Sequence, residues 1–566
     1  MKINLNMIFN RRPNGMDVIV SILFVVLVSF PVYLFHHEII YLDQGLYLPG
    51  INAILEGKIP FKDFMFYRGP FEIYAPALLM KYFGNTMTWL PIFFYVGTMV
   101  NIILALLIGF ELYRTRLIFL LMVPVFLTRT FPRVSFYYWG GMRYALAMAG
   151  IYFAVKFFKL RKPFWMFGAG IVTAAGFFTT IEAGVSAGLA VLSGMMIAFF
   201  FKVMDTGTLK KALGWYVLGL GIVTLPFLCF LAVHGALVPY WEATVFFPTR
   251  MTSTYLDMGT HIPVNFWHFL LSLFNPGSQY FKVLTPVYFF FIFIGYMLVR
   301  YKARQLNSEF VCLASIVVYG LILYIASFRA IWGHHFEMAL QPEKILYFFL
   351  IEEAYRWILV ARPQWSSGHR LRRLKLYLSY FFIFALVMSS LGYSFARAGR
   401  HFPLYKIVCD KLAGKPSKDY SLLRDQEKKF LMIERAKGMI VPAWQAEDIE
   451  QTVDFITRHT QEGEAVLTYP ELGNFNYWCD RPFIGRFPIA TLSWADEGWH
   501  REYVEDIKRV NPRYVIMTNL GHRTFPSQLY FKFPGNIVKF KEVTGYILKN
   551  YKPVKILSSL TIYEHQ

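Results

Sequence analysis

Two residues in YLDQGLYLPGINAILEGKIPFKDFMFYRGP, residues 41–70, have the chemistry of a group-transfer site. Asp43 offers a carboxylate that can take a proton from a hydroxyl. Arg68 offers a planar cation that can hold phosphate oxygens or neutralise a leaving anion. Lys62, Asp63 and Tyr67 lie between them, and Gln44 follows the acid directly. Similar chemistry recurs downstream, as Arg143 in FPRVSFYYWGGMRY, Glu182 in FTTIEAG, and Arg329, His334, His335 and Glu337 in FRAIWGHHFEMALQP. Each also has a plain structural use. Asp43 suits the N-cap of a helix starting near Gly45, Lys58, Lys62 and Lys81 can snorkel to lipid head groups, and Arg143 can anchor a span at the interface. Glu182 can be satisfied at a helix N-terminus, and the adjacent histidines can be interfacial. Residue type does not choose between these uses; placement does.

The elements that must place them are membrane helices. The chain has 566 residues, is 56% hydrophobic, 19% aromatic and only 16% charged, with a mean hydropathy of +0.40. Apolar runs able to cross a bilayer fall at 17–35, 88–112, 164–181, 184–204, 213–233, 283–300, 309–328, 339–360 and 376–395, with shorter candidates at 117–130 and 144–160. At roughly 20 residues per crossing, the chain reads as a polytopic α-helical membrane protein of about 11 spans. No small-residue cleavage site follows the first run, which reads as an anchor.

With the N-terminus in the cytoplasm, the inner loops carry 21 Lys and Arg and the outer segments before residue 377 carry 11. The positive-inside rule favours that orientation, and an odd number of spans puts the C-terminal part outside. Charged residues near membrane depth mark polar cavities, and in this topology Asp43, Asp63, Arg68, Arg143, Glu182, Arg329, His334, His335 and Glu337 gather on the outer face. The net charge of +21 is accounted for by the loop bias and by anionic lipid, so no nucleic acid partner is implied.

Residues 397–566 change character, with 25 Lys and Arg, 20 Asp and Glu and no spanning run. AEDIEQTVDFITRHT (446–460) and HREYVEDIKRV (500–510) read as amphipathic helices, and EAVLTY, RYVIMTN, GYILKN and LTIYE as strands. The expected organisation is a transmembrane domain over 1–396, with a large first outer loop at 36–87, and an extracytoplasmic α/β domain over 397–566. Cys229 and Cys312 fall inside spans, whereas Cys409 and Cys479 fall in the outer tail, where a disulfide is chemically allowed. No CxxC, HExxH or Gly-rich phosphate loop occurs, so neither a structural metal site nor a nucleotide-driven pump is signalled.

The order of features in the first loop resembles that of the GT-C superfamily of membrane glycosyltransferases, which includes the lipid A aminoarabinose transferases and the protein O-mannosyltransferases. Those proteins carry Asp-Glu after the first span, a small helix with an LLEG…P…DF pattern and a basic-Pro-Pro turn. Here the corresponding residues are Asp43-Gln44, LEGKIPFKDF and Arg68-Gly69-Pro70. FTTIEAG (178–184) and HHFEMALQP (334–342) also resemble later segments of the superfamily. Gln44 in place of an acid leaves one strong candidate base, and Arg68 in place of Lys keeps the charge and adds a bidentate fork.

The resemblance implies a bacterial inner-membrane enzyme that moves a sugar from a polyprenyl-phosphate donor to an extracytoplasmic acceptor: lipopolysaccharide, a wall glycan, a lipid or a protein. Asp43 is then the base. Arg68, Arg329, His334, His335 and Lys62 bind the donor phosphate, and Gln44, Tyr67, Asp63, Arg143, Glu182 and Glu337 line the cavity. No cofactor is required, because a monophosphate leaves with less charge than a nucleoside diphosphate; a divalent ion is compatible with the chemistry but is not signalled, since no DxD-like pair is present. Direct displacement inverts the sugar. Two other readings share the groove and the cations: a lipid-linked sugar translocase, and a non-catalytic subunit in which Asp43 is only a cap. The charge bias predicts that a single cysteine introduced at the C-terminus labels with an impermeant maleimide from outside the membrane; labelling only after permeabilisation would reverse the orientation.

Overall fold

The computed structural model describes residues 10–35, 39, 41–130, 141–247, 279–327, 341–366, 428–490, 495–519 and 534–566, with a few isolated positions between them. Its helical part contains α1 (Gly15–Phe35), α2 (Tyr41–Leu55), α3 (Pro70–Phe83), α4 (Trp89–Leu112), α5 (Arg116–Thr130), α6 (Gly141–Leu160), α7 (Phe164–Phe177), α8 (Ile181–Phe200) and α9 (Thr206–Val233). The short α10 (Leu237–Trp241), α11 (Gln279–Lys302), α12 (Ser308–Ser327) and α13 (Gln341–Ser366) follow. Every span expected before residue 366 falls on one of these helices. Of the run 376–395 only 377–381 and 384 are described, all helical, and the boundary after residue 396 lies outside the described residues. By length and composition alone, α4, α8, α9 and most of α12 suffice to cross a membrane, and α1, α5 and α7 contain shorter apolar segments. The expected total of about 11 crossings is a stricter statement than these helices make.

The ends of the helices sort by charge. At one end Arg116 pairs with Asp17 at 2.6 Å, Lys156 and Lys159 with Glu111 at 2.7 and 2.9 Å, and Arg300 with Glu309 at 2.9 Å; Arg114 also pairs with Glu309. These are the basic residues assigned to the inner loops, and the structure gathers them at one end of the bundle. At the other end of α4, the Met87 N–H donates to the Arg435 carbonyl at 2.8 Å, which ties the bundle to the C-terminal region. With about 1.5 Å rise per residue, α4 alone separates the two ends by some 35 Å.

The C-terminal region comprises β1 (Lys428–Phe430), β2 (Ile440–Pro442), α14 (Ala443–His459), β3 (Leu467–Tyr469), α15 (Asn474–Cys479), α16 (Glu497–Val510), β4 (Tyr514–Thr518), α17 (Pro534–Asn550), β5 (Tyr551–Ile556) and β6 (Leu560–His565). Its main sheet runs β3-β4-β6-β5, with β3 and β4 parallel and the other pairs antiparallel. Both amphipathic helices form as expected, and Ile449, Val453 and Ile456 are buried along one stripe of α14. GYILKN is a correction: it is the last turn and a half of α17, and the strand starts at Tyr551. Phe540, Val543 and Ile547 supply the reason, because their spacing of three and four puts all three on one buried helical face. Cys479 is a buried free thiol, and Cys409 lies outside the described residues.

The two regions meet at backbone distance. A Cβ on Gly473 would lie 2.0 Å from the Gly45 carbonyl oxygen, so α2 and the start of α15 touch only because neither residue has a side chain. Gly473→Ala is therefore expected to force them apart and to lower stability by about 1–3 kcal/mol. Gly214→Ala, where no atom lies within 4 Å of the added carbon, should leave the thermal midpoint in detergent nearly unchanged. Equal midpoints for the two variants would contradict the close approach.

Candidate functional site

Arg68 is the centre of the end of the bundle opposite the basic pairs. It is 6% exposed, and one of its terminal nitrogens lies 3.3 Å from both oxygens of Glu72, itself completely buried. Its other terminal nitrogen is 3.8 Å from Asp43 Oδ1, and its guanidinium carbon stands 5.5 Å from the ring centres of Tyr47 and Tyr67. Local sequence explains the placement. Pro70 starts α3 with a preset φ, so the chain turns sharply at Gly69 and carries Glu72 into the first helical turn, four residues from Arg68. Gly69 is pressed on the α7–α8 turn, donating to the Thr179 carbonyl at 2.8 Å; a Cβ there would be 2.0 Å from the Phe178 carbonyl oxygen. FTTIEAG and the Arg68-Gly69-Pro70 turn, 110 positions apart in the chain, thus form one surface.

Asp43 lies in the first turn of α2 and is 16% exposed. The helix begins at Tyr41 rather than near Gly45, so Asp43 is inside the helix and is not its N-cap. At 3.8 Å, the Arg68 contact is an ion pair without a hydrogen bond, which leaves the carboxylate oxygens available to a third group. Burial pushes the Asp43 carboxyl up to about 6; the cations Arg68 and Arg143 oppose the rise and the negative charge of Glu72 adds to it. A carboxylate that titrates this close to neutrality is matched to proton transfer.

The other expected site residues are distributed unevenly. Arg143, at the start of α6, is 5% exposed and acts electrostatically on Asp43. Glu182 is half-buried in the first turn of α8, next to the Phe178–Thr179 surface that receives Gly69. Tyr67 is half-buried beside Arg68 and stacks on Phe247 at 5.6 Å, which stacks on Trp499 at 5.4 Å. Lys62 and Asp63 are exposed, and the Asp63 carboxylate accepts the Ile59 N–H at 2.7 Å, closing its own turn. Gln44 is fully buried and faces the C-terminal region, where its Oε1 accepts from the Asn474 amide at 3.4 Å. Arg329, His334, His335 and Glu337 lie outside the described residues.

The helix carrying Asp43 is held from the C-terminal side. Tyr41 stacks on Phe475 at 6.1 Å and accepts a hydrogen bond from Gln445 at 3.3 Å, and Asn52 accepts from Arg435 at 2.9 Å. The Met65 N–H donates to the Arg486 carbonyl at 2.7 Å, so the strand leading to Arg68 is fixed by the same region. Two important residues were not singled out from sequence. Glu72 had a usable signal, an acid four residues after Arg68 at the start of a helix. Tyr47 had another, its position one helical turn after Asp43.

No protein-family model matches the chain, and no curated protein matches it by sequence. Among solved structures it is similar to the crystal structure of ArnT from Cupriavidus metallidurans bound to undecaprenyl phosphate. The TM-score is 0.54 at 9% identity, over 97% of this chain and 98% of that one. The apo state of that protein gives 0.50 at 10% identity with the same coverage. An Archaeoglobus fulgidus oligosaccharyltransferase tethered to an acceptor peptide gives 0.49 at 12% identity, over 98% of this chain and 74% of that one. At these identities the likeness to ArnT is one of fold.

The Asp43 carboxyl is expected to titrate near pH 6 rather than in the usual carboxylate range. Infrared difference spectra against Asp43→Asn should show the carboxylate band growing as pH rises through that value. In Arg143→Gln the midpoint should move up, because a cation that favours the charged form is gone. A wild-type midpoint at about pH 4, the unperturbed range, would contradict the burial of this group.

Proposed function

We propose that the protein is an integral membrane glycosyltransferase that moves a hexosyl or pentosyl group from a polyprenyl phosphate to a hydroxyl acceptor outside the cytoplasm of a bacterial cell. The observation that carries this reading is the buried Arg68 held between Glu72 and Asp43, at the end of the bundle opposite the paired basic residues. A transporter needs a cation for the lipid phosphate. A carboxylate at ion-pair distance from that cation, placed to accept a proton, is what the transfer reaction needs in addition. The ArnT structure of the same fold is bound to undecaprenyl phosphate, which supports a lipid phosphate as the donor's carrier.

In this mechanism the deprotonated Asp43 accepts the proton of the acceptor hydroxyl as its oxygen attacks the anomeric carbon. The bond from that carbon to the phosphate oxygen breaks, and the electron pair leaves with the polyprenyl phosphate. Arg68 faces the charge that develops on the leaving phosphate, and Glu72 holds the guanidinium in place. A single in-line displacement inverts the anomeric centre, and the acceptor is a glycan, a lipid or a protein.

Asp43→Asn keeps the size of the side chain and removes its basicity. Purified protein should fold and bind donor normally while polyprenyl-phosphate release falls by about 10²–10⁴-fold. Arg68→Ala should lose donor binding or turnover, and Arg68→Lys should recover part of it, keeping charge without the fork. Near-normal turnover by Asp43→Asn would remove Asp43 from the reaction.

A further inference from the structure

Tyr47 stands out in the site because its hydroxyl has no use within the fold. The side chain is fully buried, yet among the described residues its hydroxyl has no hydrogen-bond partner. Buried tyrosines ordinarily find one, since the desolvated hydroxyl is otherwise left uncompensated. The position is not loose. The ring is packed at near-right angles by Phe66 at 5.2 Å and by Phe94 at 5.5 Å, interplanar angles being 81° and 87°, so it is fixed between two perpendicular walls.

The residue sits within the charge cluster. Tyr47 lies four residues after Asp43 on α2 and so shares its face of the helix. The Arg68 guanidinium sits 5.5 Å from its ring centre, and the charges of Arg68, Glu72 and Arg143 all act on its hydroxyl. Burial pushes its ionisation well above the ordinary phenol range, so it remains a neutral O–H donor at physiological pH. A rigid neutral donor beside a guanidinium is complementary to an anionic oxygen that takes one hydrogen bond from each. Among the described residues neither Asp43 nor Glu72 bonds the hydroxyl, although both face Arg68.

We propose that Tyr47 is a ligand-binding residue whose hydroxyl donates a hydrogen bond to a phosphate oxygen that is shared with Arg68. The inference rests on the reading of this site as one for a phosphate monoester or diester on a lipid, and it adds a donor that bears no charge and takes no part in proton transfer.

The test uses the full-length protein in lipid nanodiscs with polyprenyl phosphate, polyprenol of the same length and inorganic phosphate as probes. Tyr47→Phe removes only the oxygen. Its affinity for polyprenyl phosphate should fall about 10- to 100-fold, the range for a hydrogen bond to a charged group. Its thermal midpoint should be unchanged or raised, because an uncompensated buried hydroxyl is gone, and polyprenol binding should be unaffected. Inorganic phosphate that competes in the wild type and competes less well in Tyr47→Phe assigns the recognition to the phosphate group alone; failure to compete in both assigns it to the lipid head group. Wild-type affinity for polyprenyl phosphate in Tyr47→Phe, or a parallel loss of polyprenol binding, overturns the proposal. A protein that binds polyprenyl phosphate through Tyr47 but transfers no sugar would sink the transferase reading and leave this inference standing.

Discussion

Burying the guanidinium of Arg68 is the constraint from which the arrangement around Asp43 follows. Removing such an ion from water costs several kcal/mol even after relaxation, and only closely placed opposite charge offsets it. Glu72 provides that charge at 3.3 Å and is itself buried, so neither ion can be removed without stranding the other. The pair requires α3 to begin immediately after Arg68, which Pro70 enforces, and requires the turn to lie flat on the α7–α8 connection, which only Gly69 permits. Asp43 is placed at the edge of this pair. It is near enough to feel Arg68 but too far to be consumed by a hydrogen bond.

The opposite end of the bundle uses the same types of charge differently. There Glu111 receives two lysines, Glu309 two arginines, and Asp17 the Arg116 side chain, each with oxygen and nitrogen at ordinary ion-pair distance or closer. Those pairs tie helix ends to one another. At the Arg68 end, among the described residues, the oxygens of Asp43 make only the 3.8 Å contact with Arg68 and the hydroxyl of Tyr47 has no hydrogen bond. That asymmetry separates the bracing cluster from the one to which we assign the transfer reaction.

The C-terminal region takes part in the site without supplying its charged residues. Gly473 touches the backbone of Gly45, Asn474 bonds Gln44, and Phe475 stacks on Tyr41, so three consecutive residues of one short helix entrance hold the residues on both sides of Asp43. Arg486 likewise holds Met65 on the approach to Arg68. A carboxylate on a helix clamped from two sides loses little further freedom when a substrate arrives, which is the condition for efficient positioning.

The amino-acid sequence by itself determined the helices, because a bilayer demands long apolar runs and those runs are local. It also determined Asp43, Arg68 and Arg143 as candidates, because charges beside such runs are costly and therefore informative. Amphipathic periodicity fixed α14 and α16, while GYILKN misled because its apolar content reads as a strand when the buried stripe of Phe540, Val543 and Ile547 upstream is not followed through it. Only the tertiary structure decided which of the candidates meet. Gln44 was expected in a cavity and instead binds Asn474, 430 positions away, and Asp63 closes its own turn. Glu72 and Tyr47 carried local signals, four residues after Arg68 and four after Asp43, but their meeting at Arg68 is seen only in the fold. The physical reason is that span formation depends on composition within one helix, whereas partnership within the site depends on backbone approaches of about a van der Waals distance between distant segments. Such approaches are set by single glycines whose neighbours no local pattern reveals.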